Sequence, residues 1–486
     1  MSEDRDDPVS PSELVELQIN NVAHGGVMVA RLDGRVVFVA DAVPGERVLA
    51  RIADDSKSSF WRADTIEVLE ASPARVPHVW PAAGLERAPA ERAGGAEFGH
   101  IALERQRSLK GEVLTDALRR MGGVDRAVEV EAVGADAHAD ADADADADAG
   151  AGADGAPEPA GGRVAGTGWR TRVRLHVGPD GRVGPYAARS HQVVPVDDLP
   201  LATPALEQAA ALGRRVHDAV AVELVETSQG EVRVIRVTEE QSKTGGRSRA
   251  GAKGRSERGR GRRAPARTGS DVASARGAAA GTPPNPATIV ERVGEREFRL
   301  AENGFWQVHR DAAATLSDAV KSLTREDLFD PRAANHDLYG GVGLLAAAIG
   351  DRFGPATRIT SVESDAAATD YASGNLAEWV GARAVTARVD RYLADLERQA
   401  SPDDRRRLAA ATMVIDPPRS GAGKEVVSSL ARLGVAQVVY VACDPVAFAR
   451  DVGTFREAGY ELDALRAFDL FPHTHHVESV GVLVRA

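Results

Sequence analysis

The last third of this 486-residue chain predicts an α/β fold, a doubly wound and mainly parallel sheet with an antiparallel edge, preceded by a small OB-type β-barrel and a mixed α+β module. Three observations lead there. From about residue 334, short apolar runs alternate with helical segments, the pattern of strands joined by crossover helices. Residues 13–70 instead hold short β-like runs separated by turn signals. Between the two regions lie two low-complexity tracts, an Ala/Asp repeat near 135–163 and a Gly/Ala/Arg-rich stretch near 241–286. Neither carries apolar side chains enough to offset chain entropy, so both read as disordered insertions.

The barrel is assigned to residues 11–72 on the runs LVELQI, GVMVARL, RVVFVA, RVLARI and DTIEVL, with turns at Asp33-Gly34 and Pro44-Gly45. Barrels of this type commonly hold single-stranded nucleic acid, although a purely structural adaptor fits the same pattern. The interrupted central module spans 73–302. Within it, Ile101, Leu109, Val113, Leu114 and Leu118 have helical spacing. Further on, TRVRLHV, HQVVPV and VRVIRVT read as strands around one helix, LEQAAALGRRVHDAV. Over 303–486 the expected strands are HDLYGG, RITSVE, AVTARV, TMVIDPP and QVVYVAC, with helices LLAAAIGDRF, AAATDYASGNLAEWV, KEVVSSLARL and PVAFARDVGTFREAG after the first, second, fourth and fifth, and ELDALRAFDLF and VESVGVLVRA form the antiparallel edge pair.

Composition excludes several classes. A single cysteine, Cys443, rules out a disulfide framework and any four-cysteine zinc or iron–sulfur centre. The N-terminus is acidic without a signal-peptide pattern, and no window approaches the roughly eighteen apolar residues of a membrane span. A soluble, cytoplasmic, monomeric protein with no membrane partner is expected. The net charge of −12 understates the basic surface, because the Ala/Asp tract offsets it; charges over 243–267 are nearly all positive, which suits a phosphate-binding arm.

The chemistry-bearing residues cluster in the last domain. Gly341-Val-Gly343-Leu-Leu-Ala346 has G-x-G-x-x-A spacing where a strand turns into a helix, and Glu363 follows about twenty residues later at a strand end, placed to accept from a ribose. That pattern leaves a dinucleotide and S-adenosylmethionine both open. Asp416 in VIDPPR, at a later strand end before two prolines, favours an adenosylmethionine enzyme acting on a planar nitrogen or nucleobase centre. Cys443 ends another strand where Asp444-Pro445 opens a helix, a position that biases a thiol toward thiolate. A thiolate adding to carbon 6 of a pyrimidine makes carbon 5 nucleophilic, and a base must then remove the carbon 5 proton. Glu478, preceding an apolar strand, is the candidate base. His473, His475 and His476 lie nearby, but without a supporting carboxylate–histidine pattern they are not assigned a metal. Trp306 and Tyr186 offer faces for base stacking or for core packing.

GFWQVH (304–309), DLYGGVG (337–343), VE (362–363), DPPRSGA (416–422), YVACDPVAFARD (440–451) and FPHTHHVE (471–478) together resemble the class I RNA 5-methyluridine methyltransferases. The barrel resembles the TRAM domain of their ribosomal-RNA members. The resemblance implies a Rossmann-like class I methyltransferase domain that transfers a methyl group from S-adenosylmethionine to uridine carbon 5, in 23S ribosomal RNA ahead of tRNA. Alternatives are RNA cytosine-C5 methylation and a non-catalytic RNA-binding or assembly role. It also implies Cys443 as nucleophile, Glu478 as base, and Gln307, Tyr339, Leu344, Glu363, Asp390 and Asp416 as cofactor contacts. Three departures stand out. The cluster-forming cysteines of ribosomal members are missing; Ala442 and Asp444 replace Ser and Asn beside the nucleophile; and Leu344 replaces a polar side chain. An acid beside the thiol opposes thiolate formation unless the site compensates.

Overall fold

The computed structural model describes residues 14–134, 164–240 and 286–486. The acidic tract and the Arg-rich arm lie outside those residues, apart from Pro286.

Alternating burial builds the barrel from β1 (Leu14–Gln18), β2 (Asn21–Val22), β3 (Met28–Leu32), β4 (Arg35–Ala40), β5 (Arg47–Asp54) and β6 (Phe60–Glu70). Val37 and Val39 of β4, and Val48, Ala50 and Ile52 of β5, are buried at every second position, the period of a half-buried strand. β1 and β2 are two halves of one strand. The first half pairs with β5 and the second with β3, so the sheet order β1-β5-β6-β4-β3-β2 closes on itself. Helix α1 (Leu103–Ala117) then divides its apolar residues between two cores. Leu109 packs with Phe98 and Ile101 into the barrel, whereas Leu114, Ala117 and the following Leu118 pack under the C-terminal sheet.

After α1 comes β7 (Val130–Glu131), and the central module follows: β8 (Arg172–Val177), β9 (Val183–Gly184), α2 (Pro204–Ala209), β10 (Ala221–Glu226) and β11 (Val232–Val237). Its sheet is antiparallel in the order β11-β10-β8-β9. Two expectations are corrected here. The helix expected over 206–220 stops at Ala209, because Ala211 and Gly213 take positive φ and turn the chain. HQVVPV forms no strand; Pro195 lacks a donor, and only an isolated bridge joins Val193 to Tyr186. β10 and the hairpin β12 (Thr288–Val293)–β13 (Arg296–Ala301) were not foreseen.

The C-terminal region comprises α3 (Ala312–Leu323), β14 (Asn335–Leu338), α4 (Leu344–Phe353), β15 (Ile359–Glu363), α5 (Ala366–Asn375), β16 (Ala382–Thr386), α6 (Val389–Gln399), α7 (Pro402–Ala409), β17 (Thr412–Ile415), α8 (Gly423–Leu433), β18 (Gln437–Ala442), α9 (Pro445–Glu457), β19 (Tyr460–Phe468) and β20 (Glu478–Arg485). The strand order is β16-β15-β14-β17-β18-β20-β19-β7, with the first five parallel and β20 antiparallel to both neighbours. β7 continues the sheet beyond the expected edge pair. All six residues of β18 are buried, as a strand covered on both faces requires. α1, α8 and α9 cover one face; α3, α4 and the β12–β13 hairpin cover the other. The sheet's C-terminal edge is left for the site.

Candidate active site

Neighbouring strands β15, β14 and β17 place three of the cofactor candidates side by side. Tyr339 follows β14 in a left-handed conformation (φ 64°), beginning the turn whose last glycine, Gly343 (φ 94°), opens α4. A Cβ on Gly340 would collide with Ser361 Oγ and crowd Asp337, so only glycine lets this loop lie against β15. Glu363 ends β15, and its carboxylate accepts from Gly341 N at 3.3 Å, Ser364 Oγ at 2.9 Å and Asp365 N at 2.8 Å. Asp416 follows β17, its N–H donating to Leu338 O at 3.2 Å. Asp390 lies in the first turn of α6, 2.9 Å from Arg388, whose hydrogen bond holds its carboxyl below the usual range. Leu344 is the half-buried first residue of α4 and packs on the core around Trp306. Gln307 sits between Trp306, buried with Val342 and Leu345, and Val308, whose carbonyl accepts from Thr171 N at 2.8 Å.

One residue missed in the sequence reading belongs with this group. Asp337 on β14 is fully buried; Oδ2 accepts from Ala346 N at 3.0 Å, while Oδ1 has no partner. Burial, then the charges of Asp416 and Glu363, push its carboxyl up to about 8, and burial pushes Asp416 up to about 7. Buried carboxyls that hold protons at neutral pH mark a place short of positive charge. The cationic methionine end of S-adenosylmethionine fits that deficit, and Glu363 fits its ribose.

The second half of the site lies one strand over. Ala442 of β18 pairs with Ser479 of β20 at the end of the ladder, and Cys443 and Glu478 are the next residue along on each side. Cys443 is half-buried, and burial, then the charges of Glu478 and Asp416, push its thiol up to about 12. Glu478 is only 4% exposed, and burial and Asp416 raise its carboxyl well above the usual range. Arg419, from the Asp-Pro-Pro-Arg loop, works the other way, favouring the ionised form of both. Its Nη2 lies 3.4 Å from His476 Nε2. Burial, His475 and Arg419 push the His476 imidazole down to about 3, so it is neutral.

The three histidines have separate duties. His473 is buried, its ring contacting the Ala165 carbonyl at 3.0 Å and Gln106 at 3.1 Å, which makes it structural. His475 lies 3.6 Å from Glu97. No group of three or more His, Cys, Asp or Glu side chains suited to a metal occurs among the described residues. Trp306 is a core residue, tilted against Phe298, and Tyr186 stacks on His176 at 3.6 Å. Phe305, beside Trp306, is 69% exposed.

The cleft over Cys443 is not made by the C-terminal sheet alone. Residues 23–26 of the barrel, together with Lys110 of α1, complete its wall opposite Arg419 and His476. Lys110 is itself buried, paired with Asp469 at 2.5 Å. Arg419 was not assigned from the sequence although it stands in the Asp-Pro-Pro-Arg motif; Lys110 and the barrel loop carry no local signal.

Comparison with known proteins identifies the family. The sequence profile of the tRNA (Uracil-5-)-methyltransferase family matches residues 299–486. An RNA methyltransferase of Streptomyces avermitilis is 36% identical over 97% of this chain and 98% of its own. The 23S rRNA (uracil(1939)-C(5))-methyltransferase RlmD of Halomonas elongata is 31% identical over 96% of this chain and 89% of its own. The chain belongs to the RNA uracil-C5 methyltransferase family. It is an S-adenosylmethionine-dependent RNA methyltransferase. The tRNA (uracil-54, C5)-methyltransferase of Pyrococcus abyssi, solved with S-adenosyl-L-homocysteine, shares the fold of this methyltransferase, with a TM-score of 0.60 at 21% identity, covering 97% of this chain and all of that one. Among the described residues of the methyltransferase no helix is long and apolar enough to cross a membrane.

Proposed function

We propose that this methyltransferase makes 5-methyluridine in 23S ribosomal RNA through a covalent adduct between Cys443 and uracil. The observation that carries the reading is the placement of Cys443 and Glu478 just beyond the last β18–β20 ladder pair, one strand from the acidic cofactor edge, with the charge of Glu478 acting on the thiol. The full-length similarity to an enzyme named for uracil 1939 of 23S rRNA supports the RNA class.

Tyr339, Glu363, Asp390, Asp416, Leu344 and Gln307 hold S-adenosylmethionine, which when bound supplies an electrophilic methyl group. Cys443 adds through sulfur to carbon 6 of the flipped uracil, and the ring's electron pair moves toward carbon 5 and the carbon 4 oxygen. Arg419, the cation beside the thiol, favours thiolate and the negative charge that follows it onto the ring. Once carbon 5 is substituted, Glu478 removes its proton; the electrons re-form the ring double bond as the carbon–sulfur bond breaks, and the thiolate departs. Glu478 must be ionised to do so. Positive charge brought into the site by the cofactor lowers its affinity for the proton, as Arg419 already does.

The barrel, read as an RNA clamp, and the Arg-rich arm hold the flanking backbone in the cytoplasm. Mass-spectrometric mapping of 5-methyluridine in a deletion strain tests the assignment. One 23S rRNA site loses its methyl group; loss in tRNA instead, or at no uridine, overturns the choice of substrate.

A further inference from the structure

The acid next to Cys443 has a partner from the other end of the chain. Asp444 is the N-cap of α9, and its Oδ1 accepts from Ala447 N at 2.8 Å. Its Oδ2 lies 3.3 Å from Nε2 of His24, which sits in the tight β2–β3 turn of the barrel. The two carboxylate oxygens thus face different domains. The turn also packs closely against the loop between β19 and β20, because a Cβ on Gly26 would overlap the Cβ of His475. Asp444 is 23% exposed and His24 47% exposed, so solvent weakens their interaction without removing it.

We propose that His24 is a positioning residue for Cys443, acting through Asp444. Its imidazole, 3.3 Å away, holds the carboxylate toward the barrel and so turns aside the negative charge that would otherwise disfavour the adjacent thiolate. The same contact seats residues 23–26 as the wall against which the pyrimidine lies. Thiol activation is therefore complete only when the barrel is docked, and the Asp that departs from the family's usual Asn is balanced by a residue more than 400 positions away.

The proposal rests on Cys443 being the reactive thiol, but its test does not need methyl transfer. Cys443 is the only cysteine in the full chain, so iodoacetamide labelling, read by intact-mass spectrometry at one fixed pH, reports its thiolate alone. The labelling rate is compared for wild type, His24→Ala, Asp444→Asn and the double variant. Any gain in access from trimming His24 occurs in both backgrounds and cancels in the cycle. The account expects His24→Ala to lower the rate, relative to its effect in the Asp444→Asn background, by about three- to tenfold. An equal effect of His24→Ala in both backgrounds, or a larger loss in the Asp444→Asn background, overturns it. Should His24→Ala unfold the barrel, His24→Gln goes through the same cycle and must show the same background dependence at smaller size. A missing adduct with uracil would overturn the nucleophile and leave this coupling standing; additive effects would do the reverse.

Discussion

The two halves of the site are built in different ways. The cofactor half is local: β14, the glycine turn, the end of β15 and the end of β17 are neighbours in one sheet, and their key side chains fall at strand ends. The base half is assembled at long range, from Cys443 and Glu478 on β18 and β20, Arg419 after β17, Lys110 on α1 and the barrel turn. The first half gathers the buried carboxyls of Asp337 and Asp416, both raised by burial, and positive charge brought there would favour their ionised forms. The second holds the Cys443 thiol, pushed up to about 12 by burial, and Glu478, raised by burial and Asp416; positive charge favours the ionised form of both, as Arg419 does. Methyl transfer needs both, and the comparison teaches that Asp416 links them electrostatically, since its charge raises the proton affinity of Asp337, Cys443 and Glu478 alike.

Separating the halves gives the largest expected effect. Cys443→Ala should lower methyl transfer by about a thousandfold or more while cofactor affinity, measured by calorimetry, stays within about twofold. A parallel loss of cofactor binding would mean the halves are one structural unit. Glu478→Gln should slow turnover by about 10²–10⁴-fold and let the RNA adduct accumulate, visible as a shifted band on a denaturing gel; slow turnover without accumulation would move the base elsewhere.

Coupling between the halves gives the next effect. Sinefungin, whose amine is cationic, should speed alkylation of Cys443 by about tenfold, whereas S-adenosylhomocysteine, neutral at sulfur, should not. Equal effects of the two ligands would sever the electrostatic link. Asp337→Asn acts on the cofactor half alone and has the smallest effect. In the folded, cofactor-free protein Asp337 stays protonated up to about pH 8, whereas unfolded it ionises near its ordinary value of 3.8. The native state therefore binds the extra proton between about pH 4 and 8, and stability from this group falls across that window as pH rises. The Asn variant should melt about 2–4 °C higher than wild type at pH 8, a difference that vanishes near pH 4.

The sequence was legible where motif and strand end coincide. The glycine turn, Glu363, Asp416, Cys443 and Glu478 all sit at the edge where reading placed them. The start of β14 is unusually polar for a central strand, yet each side chain has a use. Asn335 bonds Thr412 N and the Asp330 carbonyl, His336 contacts Tyr392 at 2.9 Å, and Asp337 faces the other acids. Helices α6 and α7 were overlooked because their solvent faces are densely charged; Val389 and Leu393 are the only fully buried side chains of α6. His24 and Lys110 could not be found from spacing, since closure of a barrel and docking of one helix between two cores bring them to Cys443.

The central claim is that Cys443 forms a bond to uracil. Incubating the enzyme with S-adenosylmethionine and 5-fluorouridine-substituted 23S rRNA fragments blocks release, because fluorine on carbon 5 does not leave as a proton does. The account predicts a denaturation-stable complex whose digested peptide carries the nucleotide on Cys443 and which Cys443→Ala abolishes. A complex that persists in Cys443→Ala, or none at all with an RNA the enzyme methylates, would contradict it.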